Sequence, residues 1–200
     1  MKPRVVLLDS GGANLGSVQA AFARLEVEAP VTSDWNSIRD ATHVVLPGVG
    51  AAAVCMAKLR ENGLDKLIQR LTQPLIGICV GMQLLFERSE ESRTDCLGLL
   101  RGDVRLLPSW PGVRVPHMGW NRLALAPGAT HPLMNGLDNA SVYFVHSYAA
   151  LTSPDAIANT THGAPFSAVV AKGSVMGAQF HPERSSASGA RLLRNFLSLS

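Results

Sequence analysis

The stretch Gly77-Ile78-Cys79-Val80-Gly81 lies between an apolar run, Pro74-Leu75-Ile76, and the segment Met82-Gln83-Leu84-Leu85-Phe86-Glu87-Arg88. The first flank reads as a buried strand and the second as a helix with an apolar face. The chain must turn sharply between them, with glycines two residues on either side of Cys79. Such an elbow is strained, and a further Cβ would collide with its neighbours. The amino end of the helix then points at the sulfur, favouring a thiolate and offering backbone N–H groups to a developing oxyanion. A cysteine is as often a small packed hydrophobe as a reagent. The pentapeptide alone leaves both readings open.

Upstream, Val5-Val6-Leu7-Leu8, closed by Asp9, has the continuous apolar character of a central parallel strand. Ser10 to Asn14 reads as a turn, with Asn14 as the N-cap of a helix whose Val18, Ala21, Phe22 and Leu25 share one face. A second strand is expected from Glu28 to Thr32, then a short helix capped by Ser33 or Asp34 and running to Asp40. His43-Val44-Val45-Leu46 predicts a third strand ending at Pro47-Gly48-Val49-Gly50, and two helices broken near Asn62-Gly63 lead back to the elbow. This alternation predicts an α/β fold, an open and mainly parallel sheet with flanking helices.

Beyond about Ser92 the texture changes to glycine, proline and alternating apolar residues. Leu99 to Leu107 and Trp120 to Leu125 read as shorter strands of an antiparallel extension, and Ser141 to Tyr148 as another strand. Strands from Phe166 to Ala171 and Val175 to Phe180 follow, then a helix from about Ser188 that turns Leu192, Leu193, Phe196 and Leu197 to the sheet. With no repeat and no linker-like segment, residues 1–200 are expected to form one domain.

The composition narrows the function classes. A hydrophobic fraction of 46% with 16% charged residues is globular. The net charge of +3 is mild and holds no dense basic run, which argues against nucleic acid as a partner. Cys55, Cys79 and Cys96 are an odd set without metal-ligand spacing, so a disulfide framework is not expected and Cys55 and Cys96 read as structural. Met1-Lys2-Pro3-Arg4 leads directly into a strand and no stretch approaches a membrane span, so a cytoplasmic location and no membrane association are expected. None of the six histidines has ligand spacing, and no metal or organic cofactor is expected.

Gln179-Phe180-His181-Pro182-Glu183 decides between the two readings of Cys79. His181 falls just past a predicted strand, where open α/β sheets place catalytic groups. Residues two apart in an extended segment project to one side, so His181 and Glu183 are expected to meet. Singly, a His before Pro is often a loop residue and its neighbouring Glu a solvated one. Together with the elbow they form the thiol, imidazole and carboxylate of a nucleophilic triad.

Gly77 to Gly81 joined with His181-Pro182-Glu183 resembles the signature of class I glutamine amidotransferases, glutaminase domains of flavodoxin-like fold with a Cys-His-Glu triad. The resemblance runs the length of the chain. Pro47-Gly48-Val49-Gly50, Pro116-His117-Met118-Gly119-Trp120-Asn121, Phe144-Val145-His146-Ser147-Tyr148 and Gly177-Ala178-Gln179-Phe180 are similar to segments of the glutaminase subunits of imidazole glycerol phosphate synthases. The triad alone specifies only the class, so a glutaminase of anthranilate, aminodeoxychorismate or pyridoxal phosphate synthesis is the alternative.

The resemblance implies that Cys79 attacks the glutamine carboxamide, with His181 as acid and base and Glu183 fixing its tautomer. It implies an oxyanion held by the N–H of Val80 and one from Gly48-Val49-Gly50, and glutamine held by Gly50, Gln83, Ser147 and Tyr148. Without it, Ser147 and Tyr148 read as a half-buried strand pair. Asn14, Trp120, Tyr143, His146 and Arg184 map to the face of a partner, with core packing the other reading of Trp120. That implied partner is a (β/α)8-barrel cyclase subunit, joined in a heterodimer and receiving ammonia through a channel. Ser10 and Arg184 stand where many members carry Tyr and Lys; Arg184 keeps the charge but not the shape.

Overall fold

Val5–Leu8, buried along its whole length, forms strand β1. Around it the computed structural model of the chain, which describes residues 3–11, 14–151 and 153–200, builds an eight-stranded sheet. The remaining strands are β2 (Val31–Thr32), β3 (His43–Gly48), β4 (Leu75–Cys79), β5 (Arg88–Ser89), β6 (Thr94–Asp95) and β7 (Asp103–Leu106). They continue with β8 (His117–Arg122), β9 (Ala124–Leu125), β10 (Ser141–His146), β11 (Tyr148–Ala150), β12 (Ala156–His162), β13 (Ala164–Lys172) and β14 (Val175–Ala178). The helices are α1 (Leu15–Ala23), α2 (Trp35–Asp40), α3 (Ala52–Glu61), α4 (Leu64–Ile68), α5 (Val80–Gln83) and α6 (Ser186–Leu197).

The sheet order is β2-β1-β3-β4-β14-β13-β12-β9. The first five strands run parallel and the last three continue antiparallel, but of the segments expected as that antiparallel extension only β9 joins the large sheet, while β7 and β8 fall in the smaller ones. Strands β1, β3 and β4 are buried at every position, which requires both faces to be covered. Two smaller sheets, β10-β8 and β11-β7-β5-β6, complete the described strands.

Several expected boundaries shift, each for a physical reason. The second strand shrinks from Glu28–Thr32 to Val31–Thr32 because it is an edge strand and Pro30 has no N–H to pair. The helix expected as far as Arg88 stops at Gln83. The carbonyls of Leu84, Leu85 and Phe86 accept instead from Leu97, from Leu99 and Leu100, and from Gly98, and so are spent on a neighbouring loop. The expected Ser141–Tyr148 strand divides at Ser147, where the chain leaves β8 for β7. Strand β12, of mixed apolar and polar residues, is an addition that the periodicity does not announce. The break near Asn62-Gly63 and the Asp34 cap both occur, Gly63 at φ +66 and Asp34 accepting from the Ser37 N–H at 2.7 Å. Of the expected turn from Ser10 to Asn14, Gly12 and Ala13 lie outside the described residues, as do Met1 and Lys2.

The net result places the carboxyl ends of β3, β4 and β14 side by side. Gly48 is in register with Cys79, and Ala178 with Ile78.

Candidate active site

Cys79 ends β4 and opens α5 with φ +54 and ψ −113. A non-glycine residue rarely holds positive φ, and here the conformation throws the side chain out of the strand at the turn. The flanking glycines are there for space. A Cβ on Gly77 would lie 2.5 Å from the Gly81 carbonyl oxygen, and one on Gly81 would overlap the Leu46 carbonyl oxygen. Gly48 is bound by the same constraint, since a Cβ there would strike the Gly81 backbone nitrogen. Three glycines from two strands and a helix thus let α5 sit on the ends of β3 and β4.

His181 follows β14 and precedes a 3-10 turn, Pro182–Arg184. Its N–H donates to the Tyr143 carbonyl at 3.0 Å, and its carbonyl accepts from the buried Ser185 hydroxyl at 2.7 Å. His181 Nδ1 lies 2.7 Å from Glu183 Oε1. The two meet because Pro182 starts a tight turn, not because the segment is extended, which corrects the reason expected from the sequence. The Asn14 side chain also donates to Glu183 Oε1, at 2.6 Å, in place of capping α1.

His181 Nε2 is buried and makes no geometric hydrogen bond among the described residues, but the Cys79 sulfur is its neighbour in the same cavity. Burial opposes a charged imidazole here. The adjacent Cys79 sulfur and the hydrogen-bonded Glu183 carboxylate, with their charges, outweigh it and raise the pKa of His181 to about 10. The arrangement therefore favours an imidazolium beside the sulfur.

A cavity of about 310 Å³ opens over Cys79, lined by Val49, Gly50, Val80, Gln83, Glu91, Val145, His146, Ser147, Tyr148 and His181. Gln83 sits on its wall with both amide hydrogens engaged, to the Tyr148 carbonyl at 2.7 Å and to Gln179 Oε1 at 3.0 Å. Gln179 in turn donates to Cys79 Sγ at 3.8 Å, so the sulfur faces an N–H as well as an imidazole. Glu91 places a carboxylate at the cavity while accepting from the Ala52 N–H at the start of α3, at 2.7 Å.

The Gly48-Val49-Gly50 segment is tied on both sides. Ser10 Oγ donates to the Pro47 carbonyl at 2.5 Å, and Cys55 Sγ to the Val49 carbonyl at 3.6 Å. Gly50 holds φ +89, which only glycine adopts without strain. Gln179, Glu91 and the Asn14 contact were not singled out as site features by the sequence. Gln179 alone carried a usable signal, lying two residues before His181.

The residues expected on a partner face divide. Trp120 is 55% exposed and meets Tyr143 edge to face at 6.0 Å across the β8–β10 pair, so it is not core packing. Met118, on the same side of β8, is 64% exposed. Arg184 is exposed on the turn after His181. His146 is buried at the cavity wall, and Asn14 is half-buried against Glu183. Among the described residues no group of three or more His, Cys, Asp or Glu is placed to hold a metal ion, and no helix is long and apolar enough to cross a membrane.

Comparison with known proteins extends these observations. The sequence model of the glutamine amidotransferase class-I family matches residues 6–199. A protein of Xanthomonas campestris pv. campestris (strain 8004) named imidazole glycerol phosphate synthase subunit HisH is 55% identical over 197 residues, covering 98% of each chain. One of the same name from Xylella fastidiosa (strain Temecula1 / ATCC 700964) is 53% identical over 196 residues, 98% of this chain and 97% of the relative. Among solved structures, a glutamine amidotransferase superposes with a TM-score of 0.75 at 20% identity, over 96% of this chain and 97% of the other. A chain of PurLQS from Thermotoga maritima does so with a TM-score of 0.72 at 21% identity, over 98% of both. These structures bear on the fold alone.

Proposed function

Because the chain belongs to the class-I glutamine amidotransferase family, we propose that it hydrolyses glutamine to glutamate and ammonia as the glutaminase subunit of an imidazole glycerol phosphate synthase, in histidine biosynthesis. The observation that carries this reading is the convergence of Cys79 and His181 on one cavity, with Glu183 hydrogen-bonded behind the imidazole. The relatives at 53–55% identity select the pathway.

In this mechanism the Cys79 thiolate attacks the side-chain carboxamide carbon of glutamine. The oxyanion that forms is held by the Val80 N–H and by an N–H of Gly48-Val49-Gly50. His181 gives its proton to the departing nitrogen, and ammonia leaves behind a γ-glutamyl thioester on Cys79. The now neutral His181 takes a proton from water, which hydrolyses the thioester and returns glutamate and the thiolate–imidazolium pair. Glu183 holds Nδ1 protonated throughout and stabilises the imidazolium. The Gln179 N–H donates to the sulfur and helps hold it in place. Gln83, Gly50, Ser147 and Tyr148 contact the substrate, and the Glu91 carboxylate faces its ammonium group.

Free ammonia would be protonated and lost in water, so the product calls for a sealed path to an acceptor. The acceptor in this reading is a (β/α)8-barrel cyclase subunit, which completes a heterodimer and makes imidazole glycerol phosphate and an aminoimidazole carboxamide nucleotide. Exposed Met118 and Trp120 beside Tyr143 fit an apolar partner surface, with Arg184 as a charged contact. The pair works in the cytoplasm.

The test is glutamate release from glutamine by the chain alone and with the cyclase subunit and its nucleotide. A low rate alone, a large rise in the complex and loss of both on Cys79→Ala are expected. No release in a formed complex would overturn the reading, and stimulation by an anthranilate-type synthase in place of the cyclase would overturn the pathway.

A further inference from the structure

Pro116 to Asn121 enters the family resemblance, but its histidine takes no part in the mechanism above. His117 is buried beneath β8, facing the opposite way from exposed Met118 and Trp120. It stacks on His162 at 4.1 Å and on Phe144 at 4.8 Å. Its Nδ1 lies 3.1 Å from His146 Nε2, and its Nε2 lies 3.4 Å from Asn121 Nδ2. His146 Nδ1 lies 2.9 Å from the Tyr148 carbonyl oxygen, which also accepts from Gln83.

Proton accounting gives this row a direction. The Tyr148 carbonyl can only accept, so His146 Nδ1 carries a hydrogen. Burial, against the Tyr148 hydrogen bond and with the neighbouring histidines, lowers the His146 pKa to about 3, so its ring is neutral and Nε2 is bare. A bare Nε2 needs a donor, which places the hydrogen of His117 on Nδ1. Burial and the charge of His162 lower the His117 pKa to about 4, so its Nε2 is bare in turn and accepts from Asn121. The Asn121 amide is oriented independently, its nitrogen donating to the Thr161 carbonyl at 3.0 Å and its oxygen accepting from the Arg122 N–H at 2.8 Å. Every link is determined, from Asn121 through His117 and His146 to Tyr148.

We propose that Asn121, His117 and His146 are positioning residues of the glutamine cavity, a one-way hydrogen-bond chain that fixes the Ser147–Tyr148 wall and, through the shared carbonyl, the Gln83 amide. The chain starts at Asn121, next to Trp120 in sequence but on the His117 face of β8, and ends on the substrate wall. It acts on substrate binding and leaves the Cys79–His181 pair untouched. Its kinetic consequence rests on the glutaminase reading; its tautomers do not.

The experiment joins nitrogen NMR of the ¹⁵N-histidine-labelled chain with glutaminase kinetics of the complex. In the unsubstituted protein His146 and His117 should both show protonated Nδ1 and bare, hydrogen-bonded Nε2. His117→Phe keeps a flat ring against Phe144 and His162 but cuts both links. The His146 Nε2 signal should then move toward that of an unbonded nitrogen, and KM for glutamine should rise about tenfold with kcat within about twofold. His117→Gln, which can donate and accept, should restore most of KM. Should His117→Phe fail to fold, Asn121→Leu removes the first link alone and should raise KM in the same sense.

A protonated Nε2 on either ring, or an unchanged KM in a folded His117→Phe complex, overturns the proposal. Glutamine turnover absent from the unsubstituted complex would instead sink the glutaminase reading. The tautomers would still decide whether the chain exists.

Discussion

Asn14 and Glu183 are 169 residues apart in sequence and 2.6 Å apart in the fold, where the Asn14 amide donates to the same Oε1 that takes His181 Nδ1. The Glu183 side chain is only 1% exposed, so water contributes little to holding its charge. A hydrogen bond to a buried carboxylate contributes about 1.5–3 kcal/mol. Asn14→Ala should therefore lower kcat by about 10- to 100-fold with a smaller change in KM. Asn14→Asp should be worse, since it sets a second carboxylate against the first. Full activity in either variant would remove Asn14 from the site.

Glycine should be the better replacement at Cys79. At φ +54 a side chain is strained, so Cys79→Gly should be more stable than Cys79→Ala by about 1 kcal/mol, the reverse of the order in ordinary strand or helix positions. Both variants should be inactive. Chemical denaturation of the two proteins settles the order.

The alkaline behaviour follows from His181. Its folded pKa, about 10, lies above the ordinary 6.5, so its stabilisation is fully present below about 6.5 and is lost as pH rises toward 10. Over that window the unsubstituted chain should lose stability relative to His181→Gln, and the gap between their unfolding free energies should close. A gap that stays constant from neutral to alkaline pH would contradict the imidazolium.

Ser10 should influence the Gly48-Val49-Gly50 segment through Pro47. Ser10→Ala leaves a buried carbonyl without this donor, at a cost of about 1–3 kcal/mol of stability. Because the Pro47 carbonyl adjoins the Gly48-Val49-Gly50 segment, kcat should fall more than KM rises, and Ser10→Thr should recover most of it. Equal kinetics in Ser10→Ala would mean that the Cys55 contact with Val49 is sufficient by itself.

Much of the fold was legible because its signals are local. Apolar runs at Val5–Leu8, His43–Leu46 and Pro74–Ile76 became, or opened, buried parallel strands, and Gly63 broke the helix where a left-handed residue was needed. The misreadings share one cause. Leu84, Leu85 and Phe86 have helical composition, but their carbonyls are claimed by residues 97–100, and no periodicity records that competition. Strand β12 mixes apolar and polar residues without a clear period, and it is the ladder with β13 that keeps it extended.

The sequence by itself determined the elbow and the Cys79, His181, Glu183 set. A positive-φ turn needs glycines at fixed offsets, and a short turn is enough to join His181 to Glu183. Only the tertiary structure decided what surrounds them. Asn14 on Glu183, Gln179 on the sulfur, Ser10 on Pro47 and His117 on His146 are contacts of small polar groups between distant segments. Each depends on which strand ends the sheet brings together. A hydrogen bond reaches about 3 Å, and nothing in the spacing of residues so far apart along a chain encodes that distance.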